Sequence, residues 1–260
     1  MKQTIISRFL AIALMMTTGN LAANAGWTDN LSPYDLNAPL GWATVDGNVT
    51  GGEGGTKVTV TNKTELMNAL KGTDKKIIYV DGEIEFSGLT NVNSVQNKTI
   101  IGMKGAAFVN SKHSASVSET GIMQLSSCKN IILRNIIFKS AGAYDIDGND
   151  NLTIIGSTYI WVDHCDFQDG VDGNFDCVNG SDNICVTWCR FRYLIAPWAG
   201  GSGGSNDHRN CDLWGNSDKR SGDEGHLRTT FANCWWDEGC SERMPRVRFG
   251  QVHIQNCLYS

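Results

Sequence analysis

Short runs of alternating apolar and polar residues recur along the second half of the chain and fit a single register. Each run is rich in β-branched residues and ends in a polar turn, which is the pattern of a strand with one buried face. The runs cover residues 130–138, 159–167, 183–191, 226–235 and 251–259.

Two columns of residues stand out in that register. The first holds Asn135, His164, Trp188, Asn233 and Asn256, and the next holds Cys165, Cys189, Cys234 and Cys257. Successive members of the first column are 29, 24, 45 and 23 residues apart. One unit is too small to bury its own apolar face, so the units must stack. The repeats therefore predict an all-β fold, a right-handed parallel β-helix in which each coil adds one strand to every sheet.

The 45-residue step predicts a long loop over residues 197–225, which contains the flexible run Gly200-Gly-Ser-Gly-Gly-Ser205. The run lacks the terminal Lys-Ser/Thr pair and the strand-to-helix context of a phosphate-binding loop. We expect this loop to shape a binding groove, as long loops on rigid scaffolds commonly do.

One short helix is predicted near the beginning of the stack. Asn62-Lys-Thr-Glu65 forms a capping box in front of an amphipathic run over residues 66–70. A strand is predicted over residues 76–86, so the N-terminal helix would cap the open end of the first coil.

The N-terminus has the features of a secretory signal. Lys2 and Arg8 precede an apolar run from Phe9 to Met16, and Ala23-Asn-Ala25 supplies the small-x-small cleavage pattern. The pattern predicts a signal peptide over residues 1–25 and a single mature domain over residues 26–260. No other segment has the roughly 18 uninterrupted apolar residues of a membrane span. We expect a secreted or periplasmic protein without such a span.

The balance of charge limits the class of partner. The chain carries a net charge of −5, which becomes −7 without residues 1–25, because these contain two cations and no acid. Such a chain is a poor binder of nucleic acid, since neutralising phosphates requires many Lys and Arg side chains. Attraction to an acidic substrate would need a local cationic patch or a bound metal.

A carboxylate cluster is the first candidate for that site. Asp172 and Asp176 are four residues apart, about 13 Å in a straight strand, so they converge only if Gly173-Asn174 bends the chain. Asp150, one coil earlier, would supply a third carboxylate from the adjacent strand. All-oxygen ligation on irregular backbone favours Ca²⁺ over Zn²⁺. The alternative is a set of solvated turn aspartates.

An arginine cluster follows in Arg243-Met-Pro-Arg-Val-Arg-Phe-Gly250. Arg246 and Arg248 share one face of an alternating strand, and Pro245 interrupts the strand in a way that redirects Arg243. Guanidinium groups bind carboxylates through two parallel hydrogen bonds. The alternative is an exposed, solvated strand.

The cysteines and histidines favour structural roles. The chain has nine cysteines, and we interpret the four in the repeat column as small apolar core residues. Cys211 and Cys240, in loop-like surroundings, are the pair that we expect to form a disulfide. Asp163-His164 resembles part of a catalytic triad, but His164 falls in the stacked column and no serine stands in a nucleophile elbow.

These motifs together resemble the pectate lyases of polysaccharide lyase family 1, and the likeness covers nearly all of the mature chain. The residues that carry it are Gly41-Trp-Ala-Thr-Val, Gly51-Gly-Glu-Gly-Gly55, Asn97-Lys-Thr-Ile-Ile-Gly102, Trp161-Val-Asp-His164, Val186-Thr-Trp-Cys-Arg-Phe191 and Arg243-Met-Pro-Arg-Val-Arg-Phe-Gly250.

The resemblance implies a β-helix enzyme that cleaves polygalacturonate by Ca²⁺-dependent β-elimination. By position it implies that Asp150, Asp172 and Asp176 bind the ion. It also implies that Arg243 is the catalytic base and that Arg248 binds a substrate carboxylate. Arg246 is expected to contribute to the same cationic patch. We expect a monomer that binds this acidic polysaccharide and no nucleic acid.

The chain departs from the family pattern in two places. Many members have a lysine in a His-Asp-Lys-Thr run, where this chain has Asn210 with Arg209 beside it. Arg209 is therefore a candidate to replace the lysine in substrate binding. The sequence also stops at Ser260, directly after a coil, which leads us to expect truncation at the C-terminal end of the domain.

Three other functions fit parts of the pattern. A pectin lyase acts on methyl-esterified polymer without calcium, and the aspartates and arginines argue against it. A β-helix glycosidase would hydrolyse with a carboxylic acid and a carboxylate. A non-catalytic carbohydrate-binding β-helix would bind without turnover.

Overall fold

The chain adds strands in turn to three parallel sheets, so neighbours within a sheet come from successive coils. The computed structural model describes residues 38–215 and 222–260, and the predicted signal peptide lies outside them. The strands are β1 (Thr56–Val60), β2 (Lys76–Val80), β3 (Glu83–Glu85), β4 (Thr90–Asn93), β5 (Gln96–Gly102), β6 (Ala107–Val109), β7 (Met123–Ser126), β8 (Lys129–Arg134), β9 (Ile137–Lys139), β10 (Leu152–Ile155), β11 (Thr158–Asp163), β12 (Asp166–Gln168), β13 (Phe175–Val178), β14 (Asp182–Thr187), β15 (Arg190–Arg192), β16 (Leu213–Trp214), β17 (Thr229–Ala232), β18 (Trp235–Trp236), β19 (Arg246–Val247), β20 (Val252–Gln255) and β21 (Leu258–Tyr259). The helix α1 spans Lys63–Leu70, and 3-10 helices span Gly41–Thr44 and Val117–Glu119.

Sheet 1 has the order β1-β2-β5-β8-β11-β14-β17-β20, sheet 2 the order β4-β7-β10-β13-β16-β19, and sheet 3 the order β3-β6-β9-β12-β15-β18-β21. Like positions of successive coils are paired. In sheet 1, Ile160 lies opposite Ile131 on one side and Ile184 on the other, and all three are buried. The fold is the predicted right-handed parallel β-helix.

The first sequence column forms the corner between sheets 1 and 3. Its members all have positive φ, with values of 57°, 51°, 53°, 56° and 50° for Asn135, His164, Trp188, Asn233 and Asn256. Asparagine tolerates this left-handed conformation better than most residues, and Asn256 donates its amide to Asn233 Oδ1 at 2.6 Å. The predicted column is thus a stack of identical turns.

A ladder of aromatic rings fills the core behind sheet 3. Phe167 stacks between Phe138 and Phe191 with centroid separations of 4.9 and 5.1 Å, and Phe191 stacks on Trp236. All four side chains are fully buried. Close packing in this ladder makes each coil depend on its neighbours.

Helix α1 covers the N-terminal end of the core, as predicted. Asn62 accepts a hydrogen bond from the backbone N–H of Glu65 at 3.0 Å, and Glu65 accepts one from Thr61 N–H at 2.8 Å. Leu66 and Leu70 are buried in the main core cluster. The cap therefore orients an amphipathic helix with its apolar side against the first coils.

In the cysteine column, Cys165, Cys189 and Cys234 are buried in the core and Cys257 is partly buried against it, which confirms the interpretation of the column as core. Its thiols donate to backbone carbonyls, as Cys189 does to Thr187 at 3.4 Å. All nine cysteines are free, so the predicted bridge between Cys211 and Cys240 is wrong. The two thiols interact without a covalent bond, and Cys240 donates instead to the carbonyl of Phe191 at 3.2 Å.

The long connection predicted over residues 197–225 is not a loop throughout. It contains β16, whose Trp214 lies opposite Cys177 of β13 and opposite Val247 of β19. The strand has only two residues, too few to give an alternating pattern in the sequence.

The last described coil, β20 and β21, leaves Ile254, Leu258 and Tyr259 exposed. None of the helices among residues 38–215 and 222–260 is long and apolar enough to cross a membrane.

Replacing Phe167 with alanine should lower the free energy of unfolding by about 3–5 kcal/mol, because it opens a cavity in a fully buried ring stack. Denaturant titration followed by circular dichroism measures the change. The control is Val117→Ala at an exposed site, which should stay within about 0.5 kcal/mol of the parent. Equal losses for the two variants would contradict the ladder's role.

Candidate active site

A cavity of about 650 Å³ opens beside sheet 2, and strands β13, β16 and β19 and the segment before β10 contribute to its lining. Acidic side chains occupy one part of it and arginines another. Its lining residues are Asp145, Ile146, Asp147, Gly148, Asp150, Asp172, Asp176, Val178, Ser202, Gly203, His208, Leu213, Arg243, Arg246 and Arg248.

Successive coils of sheet 2 bring two aspartates together. Asp150 lies just before β10, which begins at Leu152. Asp176 lies in β13, opposite Thr153 of β10. A Cβ atom at Gly173 would lie 2.6 Å from Asp150 Oδ1 and 3.5 Å from Asp176 Oδ1. The two carboxylates therefore face one small space that glycine leaves open.

The bend that allows this convergence is held by buried hydrogen bonds. Asn174 is fully buried, and its Oδ1 accepts from Gly170 N–H at 3.1 Å and from the Asn151 amide at 2.9 Å. The N–H groups of Asn174 and Phe175 both donate to the carbonyl of Cys211, at 2.7 and 3.1 Å. The predicted bend at Gly173-Asn174 is thus present and fixed by the next coil.

Asp172 faces His208, to which the sequence pattern assigned no role. His208 Nε2 lies 2.8 Å from Asp172 Oδ1, and His208 Nδ1 lies 3.1 Å from Asp145 Oδ1. His208 was missed because its spacing to the other histidines matches no metal site. The usable signal was its position in the segment that corresponds to the family's His-Asp-Lys-Thr run.

Crowding of buried carboxylates changes their acidity. Burial, and then the negative charge of Asp172, raise the pKa of Asp150 to about 7. Burial and the charge of Asp150 raise the pKa of Asp176 well above its ordinary value, and Arg243 opposes both shifts. The positive charge of Arg243 does not cancel either increase.

These donors fit a hard divalent cation in their chemistry and in the space at Gly173. Asp150 also accepts from the Thr153 hydroxyl at 3.0 Å, and Asp176 from Leu213 N–H at 3.0 Å, so both carboxylates are oriented. Within the described ranges, no three His, Cys, Asp or Glu side chains are already arranged as a metal-binding group. Asp172, held by His208, is the one that does not converge with the pair.

The arginines come from the coil that follows β16. Arg246 begins β19 opposite Leu213, and its N–H donates to the carbonyl of Asp212 at 2.9 Å. Arg248 N–H donates to Trp214 O at 2.6 Å. Arg243 has φ 56°, and its Nε is buried with no hydrogen-bond partner among the described residues. A buried, unpaired donor beside a charged cavity suits an anionic ligand.

Arg209 does not line this cavity. Its guanidinium is paired with Asp207, with Nε to Oδ1 at 2.6 Å and the second nitrogen to Oδ2 at 2.7 Å. His208 is the residue of that segment that reaches the cavity.

His164 lies elsewhere, at the corner between sheets 1 and 3. Its Nδ1 lies 2.8 Å from Oδ2 of the fully buried Asp163. The Thr187 hydroxyl donates to Asp163 Oδ1 at 2.5 Å, and Arg134 Nε lies 2.8 Å from Asp163 Oδ2. The ring of His164 stacks with Trp188. This network joins successive coils and contains none of the cavity-lining residues.

Comparison with known proteins gives consistent results. A family model described as pectate lyase matches residues 15–260. A probable pectate lyase B of Aspergillus terreus is 33% identical over 227 residues, which cover 84% of this chain and 60% of that protein. A pectate trisaccharide-lyase of Thermotoga maritima is 31% identical over 238 residues, which cover 85% of this chain and 57% of that protein.

Among solved structures, a pectate lyase bound to a hexasaccharide matches with a TM-score of 0.66 and 24% identity, over 86% of this chain and 74% of that one. This likeness concerns the fold. The chain spans about three fifths of the length of the two curated relatives.

The acidic pair predicts a pH dependence of stability when divalent ions are removed with EGTA. A carboxyl whose pKa is raised on folding binds its proton more tightly in the folded state, so stability falls as pH rises from about 4 to about 7. Asp150→Asn should reduce this fall, because its amide stays neutral. Melting temperatures across that range measure the effect.

Asp147→Asn is the matched control, since Asp147 lines the same cavity but is exposed. It should keep the slope of the parent chain. Parallel pH profiles for Asp150→Asn and the parent would contradict the proposed crowding of buried carboxylates.

Proposed function

The chain belongs to the pectate lyase family, and from that premise we propose that it cleaves α-1,4-linked polygalacturonate by β-elimination to unsaturated oligogalacturonates. One observation carries the proposal: three arginines and a buried pair of aspartates line the same cavity. A uronate polymer carries one carboxylate on each sugar, and this cavity offers cationic groups to such a ligand.

The reaction needs a base and a stabilised anion. The base takes the C5 proton, which is α to the uronate carboxylate. The C5–H electrons form the C4–C5 double bond, the C4–O4 bond breaks, and the leaving oxygen is protonated. Negative charge grows on the carboxylate as the proton leaves, so cationic groups placed against it lower the barrier.

We propose Ca²⁺ as the cofactor, held by Asp150 and Asp176; Asp172 would join them as a third carboxylate when its contact with His208 is released. When bound, the ion would neutralise the acidic pair and polarise the substrate carboxylate. The space at Gly173 and the raised pKa values of Asp150 and Asp176 support this assignment.

Arg243 is proposed as the group that takes the C5 proton. A guanidinium is normally always protonated in proteins, so this role requires a local excess of cations or alkaline pH. The rival base is hydroxide or a bound water, with Arg243 as the group that holds it and stabilises the anion. The buried, unpaired Nε of Arg243 supports its orientation toward the cavity under both alternatives.

Arg248 and Arg246 are proposed to bind substrate carboxylates. Arg209 has no part in this proposal, because its guanidinium is paired with Asp207 outside the cavity. Action as a monomer and export through the signal at residues 1–25 stay predictions.

The decisive experiment follows ultraviolet absorbance of the conjugated product during incubation with polygalacturonate. We expect absorbance to rise with Ca²⁺, to stop in EGTA and to return when Ca²⁺ is restored. Reducing ends without absorbance would indicate hydrolysis instead, and binding without either signal would indicate a non-catalytic module. Activity on methyl-esterified polymer in EGTA would indicate a pectin lyase.

Arg243→Lys should lower kcat by at least about 100-fold, because the amine is shorter and cannot reproduce the guanidinium geometry. The control is Arg192→Lys, at an arginine paired with Asp166 in sheet 3. Near-normal turnover by Arg243→Lys would eliminate Arg243 as the base. Melting temperatures of both variants exclude unfolding as the cause.

A further inference from the structure

A second cavity, of about 410 Å³, is lined largely by aromatic side chains. His113, Ala115, Tyr144, Trp198 and Ala199 form its wall. The rings of Tyr144 and Trp198 lie 5.3 Å apart at an angle of 48°, and His113 contacts Trp198. None of these residues has a role in the proposed elimination.

Two chain segments run past both cavities. Tyr144 lines the second cavity and its neighbour Asp145 lines the first. In the parallel segment, Trp198 lines the second, and Ser202 and Gly203 line the first. The segments are joined by a bridge between Asp145 and Gly201. Four residues span at most about 13 Å, so the two cavities are close enough for one polymer to contact both.

Trp198 is held in place although it lies in a loop. The fully buried side chain of Asp169 accepts from the N–H groups of Leu194 and Ile195 at 2.7 and 2.9 Å. The backbone N–H of Trp198 donates to the carbonyl of Ala143 at 2.9 Å. Gly142 has φ 111°, and a Cβ there would lie 3.1 Å from Trp198 Nε1.

The far side of the loop is held by Asp145. Its carboxylate accepts from Ser205 N–H at 2.6 Å, and its carbonyl accepts from Gly203 N–H at 3.2 Å. Anchors on both sides mean that little conformational entropy is lost when a ligand binds to the ring.

The surface beside the ring is apolar. Ile195 Cγ2 and Trp198 Nε1 lie 3.0 and 3.1 Å from the Cβ position of Gly142, and Ile195 is 39% exposed. An exposed apolar side chain next to the aromatic pair suits a ligand with an apolar face. The wall of the second cavity contains no carboxylate, so an anionic polymer meets no fixed like charge in it.

We propose that Tyr144 and Trp198 form an accessory sugar subsite, which stacks on the C–H face of one galacturonate residue of the polymer held in the first cavity. The inference rests on the proposed function for the identity of the polymer. Its energy comes from contact and dispersion rather than charge, so it adds affinity for long chains.

The test is calorimetric binding of hexagalacturonate and trigalacturonate in the presence of Ca²⁺, with Arg243→Lys as the common background to prevent cleavage. Adding Trp198→Ala should weaken hexamer binding by about tenfold. Trimer binding should weaken by a smaller factor, because a trimer held by the arginines fills mainly the first cavity.

Trp188→Ala is the matched control, since Trp188 is 42% exposed and stacks on His164 outside both cavities. It should bind both oligomers like the background. Tyr144→Ala should weaken the hexamer in the same direction as Trp198→Ala, and melting temperatures check the fold of every variant.

Equal hexamer affinity with and without Trp198→Ala would overturn the subsite. So would an equal loss for trimer and hexamer. The proposed function fails separately, if the parent chain forms no unsaturated product from polygalacturonate. Should that happen while hexamer binding still depends on Trp198, the subsite stands as a binding site. If the parent neither cleaves nor binds the polymer, both proposals are wrong.

Discussion

The in-register stacking of coils is the constraint on which the rest of the structure depends. Parallel strands about 4.8 Å apart place each residue directly against its counterpart in the next coil. For apolar side chains this builds the core, as in the stack of Phe138, Phe167 and Phe191. For carboxylates it has the opposite effect, since Asp150 and Asp176 come from neighbouring coils, and burial together with the charge of Asp150 raises the pKa of Asp176. The same stacking therefore stabilises the apolar core and crowds buried carboxylates together.

The two crowded aspartates lie beside a backbone bend that buried hydrogen bonds hold in place. Asn174, buried and bonded on several sides, fixes the bend beside Gly173, and the carbonyl of Cys211 receives two N–H groups from the bend. A flexible loop would let the aspartates separate into solvent and recover ordinary acidity. Here the coils above and below prevent this, so a cation or a proton must supply the compensation. Preorganisation of this kind is what an electrostatic site requires.

Much of the fold was predictable because stacked repeats leave a periodic record. The column from Asn135 to Asn256 marked a corner, and the capping box at Asn62 marked helix α1. The convergence of Asp172 with Asp176 was conditional on a bend at Gly173-Asn174; the bend is present, but the pair that meets there is Asp150 and Asp176, while Asp172 contacts His208. Contacts across the long connection were not predictable, because β16 is too short to show periodicity. For the same reason the sequence could not place His208 in the cavity, pair Arg209 with Asp207, or leave the thiols of Cys211 and Cys240 unlinked.

An acidic chain that binds an acidic polymer must rely on forces of short range. The net charge of −5 repels a polyanion at a distance, and at physiological ionic strength that repulsion is screened beyond about 8 Å. Inside that distance the sign of each local group decides the outcome, so the three arginines and a cation between the aspartates can outweigh the overall charge. Every further charge would also attract unrelated anions, whereas an aromatic surface discriminates by shape. The anchored Trp198 beside Asp145 adds contact of this kind at the edge of the charged cavity. Under the proposed function, a charged centre and an uncharged flank together would favour a sugar polymer over other polyanions.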